Sequence, residues 1–146
     1  LLSPAFHVTT ELLELRELIM RVLALAALYM ALAVACGAFG AHALRDRLTA
    51  TDMAIWEKAV LYHLVHALAI MVVVLVGERY SFRAMALKIG WLLLASITVF
   101  SGTLYLLVLL NQRWLGMITP LGGSGFILAW VVFAVMCFRG GQRRSP

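Results

Sequence analysis

The chain has 146 residues, 64% of them hydrophobic and 13% charged, with a formal net charge of +5. That length fits one domain, and an ordinary soluble domain is about 45–50% apolar, so the excess implies lipid as the solvent. The basic residues flank apolar runs and form no patch interleaved with aromatics, which excludes nucleic acid and assigns the charge to phospholipid headgroups.

In chain order, residues 1–19 read as an N-terminal extension, upstream of a natural start at Met20-Arg21. Within it, residues 11–19 have the pattern of a short amphipathic turn on the membrane surface. Residues 20–138 form the four-span membrane domain, and residues 139–146 a basic cytoplasmic tail. Stretches without Asp, Glu, Lys or Arg cover 22–44, 59–77, 89–112 and 114–138. Each is close to the roughly 20 helical residues that cross a bilayer core. The box Ala33-Val34-Ala35-Cys36 inside the first stretch lacks the usual Leu of a lipoprotein cleavage site and is read as uncleaved. Between the first two spans, residues 45–58 read as a solvated lead-in, with Thr49 and Asp52 as a capping box. The turn Asn111-Gln112-Arg113 makes a tight hairpin of the last two spans. No segments of about ten alternating residues mark a barrel. The expected fold is all-α, an integral membrane antiparallel four-helix bundle.

Orientation follows from the flanking cations. The N-terminal side, second loop and C-terminus carry Arg16, Arg21, Arg79, Arg83, Lys88, Arg139, Arg143 and Arg144. The other side has Arg45, Arg47, Lys58 and Arg113. Both termini are therefore expected in the cytoplasm, with the protein multi-pass in the membrane. Trp56 and Trp114 are expected at the outer boundary and Trp91 at the inner one. The two cysteines, Cys36 and Cys137, fall near opposite faces and read as free thiols packed among helices.

The spans contain no carboxylate, which weighs against proton-coupled transport. They do contain histidines, hydroxyls and glycines. At about 100° per residue, Tyr62, His63 and His66 share one arc of the second helix, as Thr98, Ser101, Gly102 and Tyr105 do on the third. His63 and His66 lie roughly 7 and 12 Å below the outer boundary at about 1.5 Å per residue, and Tyr105 and Ser101 match them. His42 ends the first helix on that side, and Thr119 is expected to cap the fourth with Pro120 at its first position. Two imidazoles at i, i+3 with His42 as a third suit zinc or copper in an oxidising compartment. The same groups also serve as hydrogen-bonding glue between helices. Ala33, Gly37 and Ala41, Cys36 with Gly40, and Gly125 with Ala129 form small-residue ridges for close packing. No Walker, Rossmann, Ser-His-Asp or zinc-protease pattern is present, and no nucleophile-plus-base pair assembles, so an enzyme is not expected.

Four segments carry a family resemblance: Gly37-Ala38-Phe39-Gly40-Ala41-His42, Tyr62-His63-Leu64-Val65-His66-Ala67, Phe100-Ser101-Gly102-Thr103-Leu104-Tyr105 and Ile118-Thr119-Pro120-Leu121-Gly122-Gly123. They resemble, in order, the signature segments of the YgdD-like family of small four-span bacterial inner-membrane proteins, a domain of unknown function. The resemblance implies the fold and the membrane but brings no activity, cofactor or catalytic residue. The function expected is that of an accessory or assembly protein whose partners are the bilayer and another membrane protein or itself. The alternative is a metal- or small-ligand-binding or transport module with a periplasm-facing cluster of His42, His63 and His66.

Overall fold

The structure, a computed structural model, describes residues 4–80 and 82–142. Arg143 and Arg144, the end of the tail and the first three residues of the extension lie outside the described residues. Helix α1 (Pro4–Phe39) runs into a π-helical turn (Gly40–Leu44), followed by α2 (Ala50–Arg79) and α3 (Arg83–Leu110). A 3₁₀ turn (Arg113–Met117) leads into α4 (Thr119–Gln142), and no strand occurs among the described residues. All four helices are long and apolar enough to cross a membrane.

The α1 residues 11–19 do not form a separate surface turn. Between Pro4 and Gly37 no Gly or Pro interrupts the helix, and Pro4 stands at its start, where a missing N–H costs nothing. The 36 residues of α1 extend about 54 Å, well beyond the ~30 Å hydrocarbon core. Ile19 is buried and Leu15 packs against the same core.

The ends of α2 and α3 are set by local chemistry. Thr49 caps α2 from extended backbone (φ −64°, ψ 158°). Its hydroxyl accepts the Asp52 N–H at 3.1 Å and donates to Asp52 Oδ2 at 2.8 Å. Asn111 closes α3 in the left-handed region (φ 52°), its N–H bonded to Leu107 O, a role that Asn fills when Gly is absent. Thr119, expected as a cap, is instead the first residue of α4. Ile118, between the 3₁₀ turn and α4, presents its carbonyl to the Leu121 N–H at 3.0 Å, and the Thr119 hydroxyl reaches Thr103 of α3.

Helices α2 and α3 form the central pair; α1 lies mainly on α2, and α4 on α3. Ile70, Val73, Leu93 and Ile97 fill the centre, joined by Val22 from α1. A second cluster of Leu44, Trp56, Leu107 and Val108 closes the end that carries the α1–α2 and α3–α4 connections. Trp56 is packed inside that end: it is 3% exposed and its indole N–H donates to Cys36 O at 3.0 Å. Gly40 permits this, because a Cβ there would stand 2.5 Å from Trp56 Nε1. Trp91 and Trp114 are exposed. The 45–58 lead-in is only partly solvated, since Asp52 and Trp56 are both buried. Both cysteines are free thiols, but Cys137 is exposed rather than packed.

Candidate functional site

The polar side chains of the spans separate into linked pairs. On α2, His63 is 3% exposed, with Nδ1 3.4 Å from the Tyr105 hydroxyl of α3, a long and weak contact. The Tyr29 ring of α1 meets it edge-on at 5.6 Å between centroids. Its Nε2 is buried without a hydrogen-bond partner among the described residues.

His66, one turn deeper, looks another way. Its Nδ1–H donates to Tyr62 O of its own helix at 2.8 Å, since a carbonyl can only accept. Nε2 is thereby left as an acceptor, and the Trp130 indole N–H of α4 donates to it at 3.3 Å. The two bonds together specify a neutral imidazole protonated on Nδ1. The ring also stacks on Phe126 with centroids 3.6 Å apart and planes 16° from parallel. Tyr62 stacks on Phe100 at 4.6 Å and on His66 at 5.7 Å.

The hydroxyls complete the set. Ser101, fully buried, donates to Ala59 O across the α2–α3 contact at 2.9 Å and does not reach a histidine. Thr103 and Thr119 share a hydrogen bond of 2.9 Å between α3 and α4. Tyr29 and Thr98 share one of 2.8 Å between α1 and α3. His42 sits exposed on the π turn. The arrangement thus joins His63 to Tyr105 as the matching depths predict, but sends His66 to α4 and leaves His42 apart. Among the described residues, no three His, Cys, Asp or Glu side chains come together as a metal would require. Among the described residues, the buried side-chain nitrogen of this cluster left without a hydrogen-bond partner is Nε2 of His63.

Sequence reasoning missed Tyr29, Phe126 and Trp130, and it placed Thr98 on the polar arc of α3 without finding its Tyr29 partner. A signal existed for two of them: Tyr29 and Trp130 lie in the middle of their apolar stretches, away from the boundary where such rings prefer to sit. A phenol or indole placed there needs a partner for its polar tip.

Outside the charge-free stretches, Asp52 and Arg113 join the two connections at one end of the bundle, Nη1 to Oδ1 at 2.6 Å. Hydrogen bonds from Arg113 and then Thr49 hold the Asp52 carboxyl below the usual carboxylate range.

The family described as "Protein of unknown function (DUF423)" matches residues 36–123, more than half of the chain. The chain belongs to the DUF423 family. A UPF0382 membrane protein of Staphylococcus epidermidis is 45% identical over 111 residues, covering 76% of this chain and 89% of the relative. The UPF0382 membrane protein YwdK of Bacillus subtilis is 40% identical over 111 residues, covering 76% and 90%. No solved structure matches the chain significantly. The DUF423 segment contains His42, His63, His66, Ser101, Tyr105 and Thr119, whereas Tyr29 and Trp130 lie on either side of it.

Proposed function

We propose that this DUF423 chain, akin to the YgdD-like members, is an interaction or assembly protein of the bacterial inner membrane. On this reading it has no enzymatic role and keeps both termini in the cytoplasm. The observation that supports it is the contrast between inside and outside. Most polar side chains of the spans are bonded within the bundle, as Ser101, Thr103, Thr119, His66 and Trp130 are. The outer helices, by contrast, leave broad apolar faces: 17% of the most apolar stretch is buried in the first and fourth spans, against 44% in the second and third. Those faces offer contact area to another membrane protein or a second copy. Photo-crosslinkers at exposed Leu32 of α1 and Leu128 of α4, used in intact membranes, should give one discrete protein adduct. Adducts with lipid alone from both positions would overturn the reading.

One observation favours the second reading, a metal- or small-ligand-binding module facing the periplasm: the unpartnered Nε2 of His63. Zinc or copper retained through purification in mild detergent, and lost in His63→Ala, would replace the first reading with this one.

A further inference from the structure

A groove of about 480 Å³ opens between the end of α1 and the first half of α2. Gly37 and Ala41 line one wall, and Val60, Leu61 and Leu64 the other, with Trp56 also lining it. The α1 side is built of small residues, with Val60 packed against Gly37 and Trp56 against Gly40, while Ala41 is exposed. Arg45 and Glu57 line the same groove. Both are exposed, and neither pairs with another described residue. From Glu57 to Leu64 the groove runs about 10 Å along α2, at about 1.5 Å per residue. It therefore begins at the polar boundary and continues into the depth of the acyl chains.

We propose that this groove binds one phospholipid with a phosphoethanolamine headgroup, its phosphate on Arg45, its ammonium on Glu57 and an acyl chain on the Gly37–Ala41 wall. The charges select this occupant. Arg is the side chain best suited to phosphate, and a bare carboxylate beside it would repel a purely anionic headgroup. A headgroup carrying both a phosphate and a hydrogen-bonding ammonium satisfies both residues at once. A quaternary ammonium keeps the charge but loses the N–H donors that Glu57 would accept. The apolar walls take the chain by burial and dispersion, as lipid-facing grooves lined with small residues do.

Native mass spectrometry of the full chain in mild detergent, with added dioleoyl phosphatidylethanolamine, phosphatidylglycerol or phosphatidylcholine, tests this. Wild type should retain one phosphatidylethanolamine in preference to either of the others. Arg45→Ala should weaken that retention by about tenfold, the order of one charge-assisted contact. Glu57→Gln should shift the preference toward phosphatidylglycerol. Ala41→Leu, at an exposed wall position, should fill the groove and abolish retention of all three. Equal retention of the three lipids by wild type would overturn the headgroup assignment. Retention unchanged in Ala41→Leu would overturn the groove. Should Ala41→Leu fail to fold, the exposed Arg45 and Glu57 variants still decide: unchanged lipid preference in both defeats the proposal.

Discussion

The two histidines of α2 share a face and one turn of helix, yet they meet different neighbours. His66 makes two hydrogen bonds and a ring stack, whereas His63 makes one long hydrogen bond and an edge-on ring contact. His66→Leu should therefore lower stability by roughly 0.5–2 kcal/mol, the range of interhelical bonds in membranes. Trp130→Phe should cost less, and the double variant should show a coupling of about 0.6 kcal/mol, reaching no more than about 1.7. Unfolding of the four proteins in mild detergent measures this cycle; strict additivity would show that the indole–imidazole bond contributes nothing. The arc of Tyr62, His63 and His66 was legible from helical periodicity alone, as was the pairing of His63 with Tyr105 from depth. The partner of His66 was not. It comes from α4, and the rotation of α4 depends on how closely its glycines approach α3, which periodicity within α2 does not contain.

At the level of helices, close approach is concentrated where small residues allow it. A Cβ on Gly122 would stand 2.6 Å from the Phe100 backbone nitrogen, whereas one on Gly102 would meet nothing within 4 Å. Backbone cannot move aside as a flexible side chain does, so Gly122→Ala should separate α3 from α4 and cost about 1–3 kcal/mol, the usual range for overpacking. Gly102→Ala should be neutral, or stabilising by up to about 1 kcal/mol through helix propensity. Thermal unfolding of both variants provides the check, and equal effects would refute the packing account. The Gly125–Ala129 ridge could be read from spacing because small residues at i, i+4 share a helix face. The π turn at Gly40–Leu44 and the continuation of α1 through residues 11–19 could not. The first leaves no compositional mark, and the second depends on Ile19 finding a core contact on other helices.

For the molecule as a whole, one end is tied by Asp52 and Arg113 across the two connections. The Asp52 carboxyl is held low in the folded state by Arg113 and Thr49, so its ionised form favours folding. Stability from this pair is present above the unfolded carboxylate value of about 3.9 and declines as pH falls through the folded value. The difference between wild type and Asp52→Asn should therefore shrink on acidification from neutrality to below about pH 4. A difference that is constant with pH would show that the pair does not couple to folding. Antiparallel spans follow from the four charge-free stretches, but this pairing was hidden because Asp52 and Arg113 lie 61 positions apart, one in a segment read as a solvated lead-in and the other in a tight turn.

That same end fixes the orientation test. Eight of the twelve Lys and Arg residues lie at the opposite side of the chain's four spans, and cations near short loops are retained in the cytoplasm. The end with Asp52 and Arg113 should then face the periplasm, and the α2–α3 turn the cytoplasm. Asn111 and Ala84 are exposed and uncharged, so replacing either with cysteine leaves the charge balance untouched. With Cys36 and Cys137 first changed to alanine, Asn111→Cys should react with a membrane-impermeant thiol reagent added from the periplasmic side. Ala84→Cys should react only after the membrane is opened. The reverse pattern would place Arg45, Glu57 and their groove in the cytoplasmic leaflet and invert the proposed topology. The hydrogen bonds within the bundle would be unaffected, because they depend on helix packing and not on which side of the membrane each end faces.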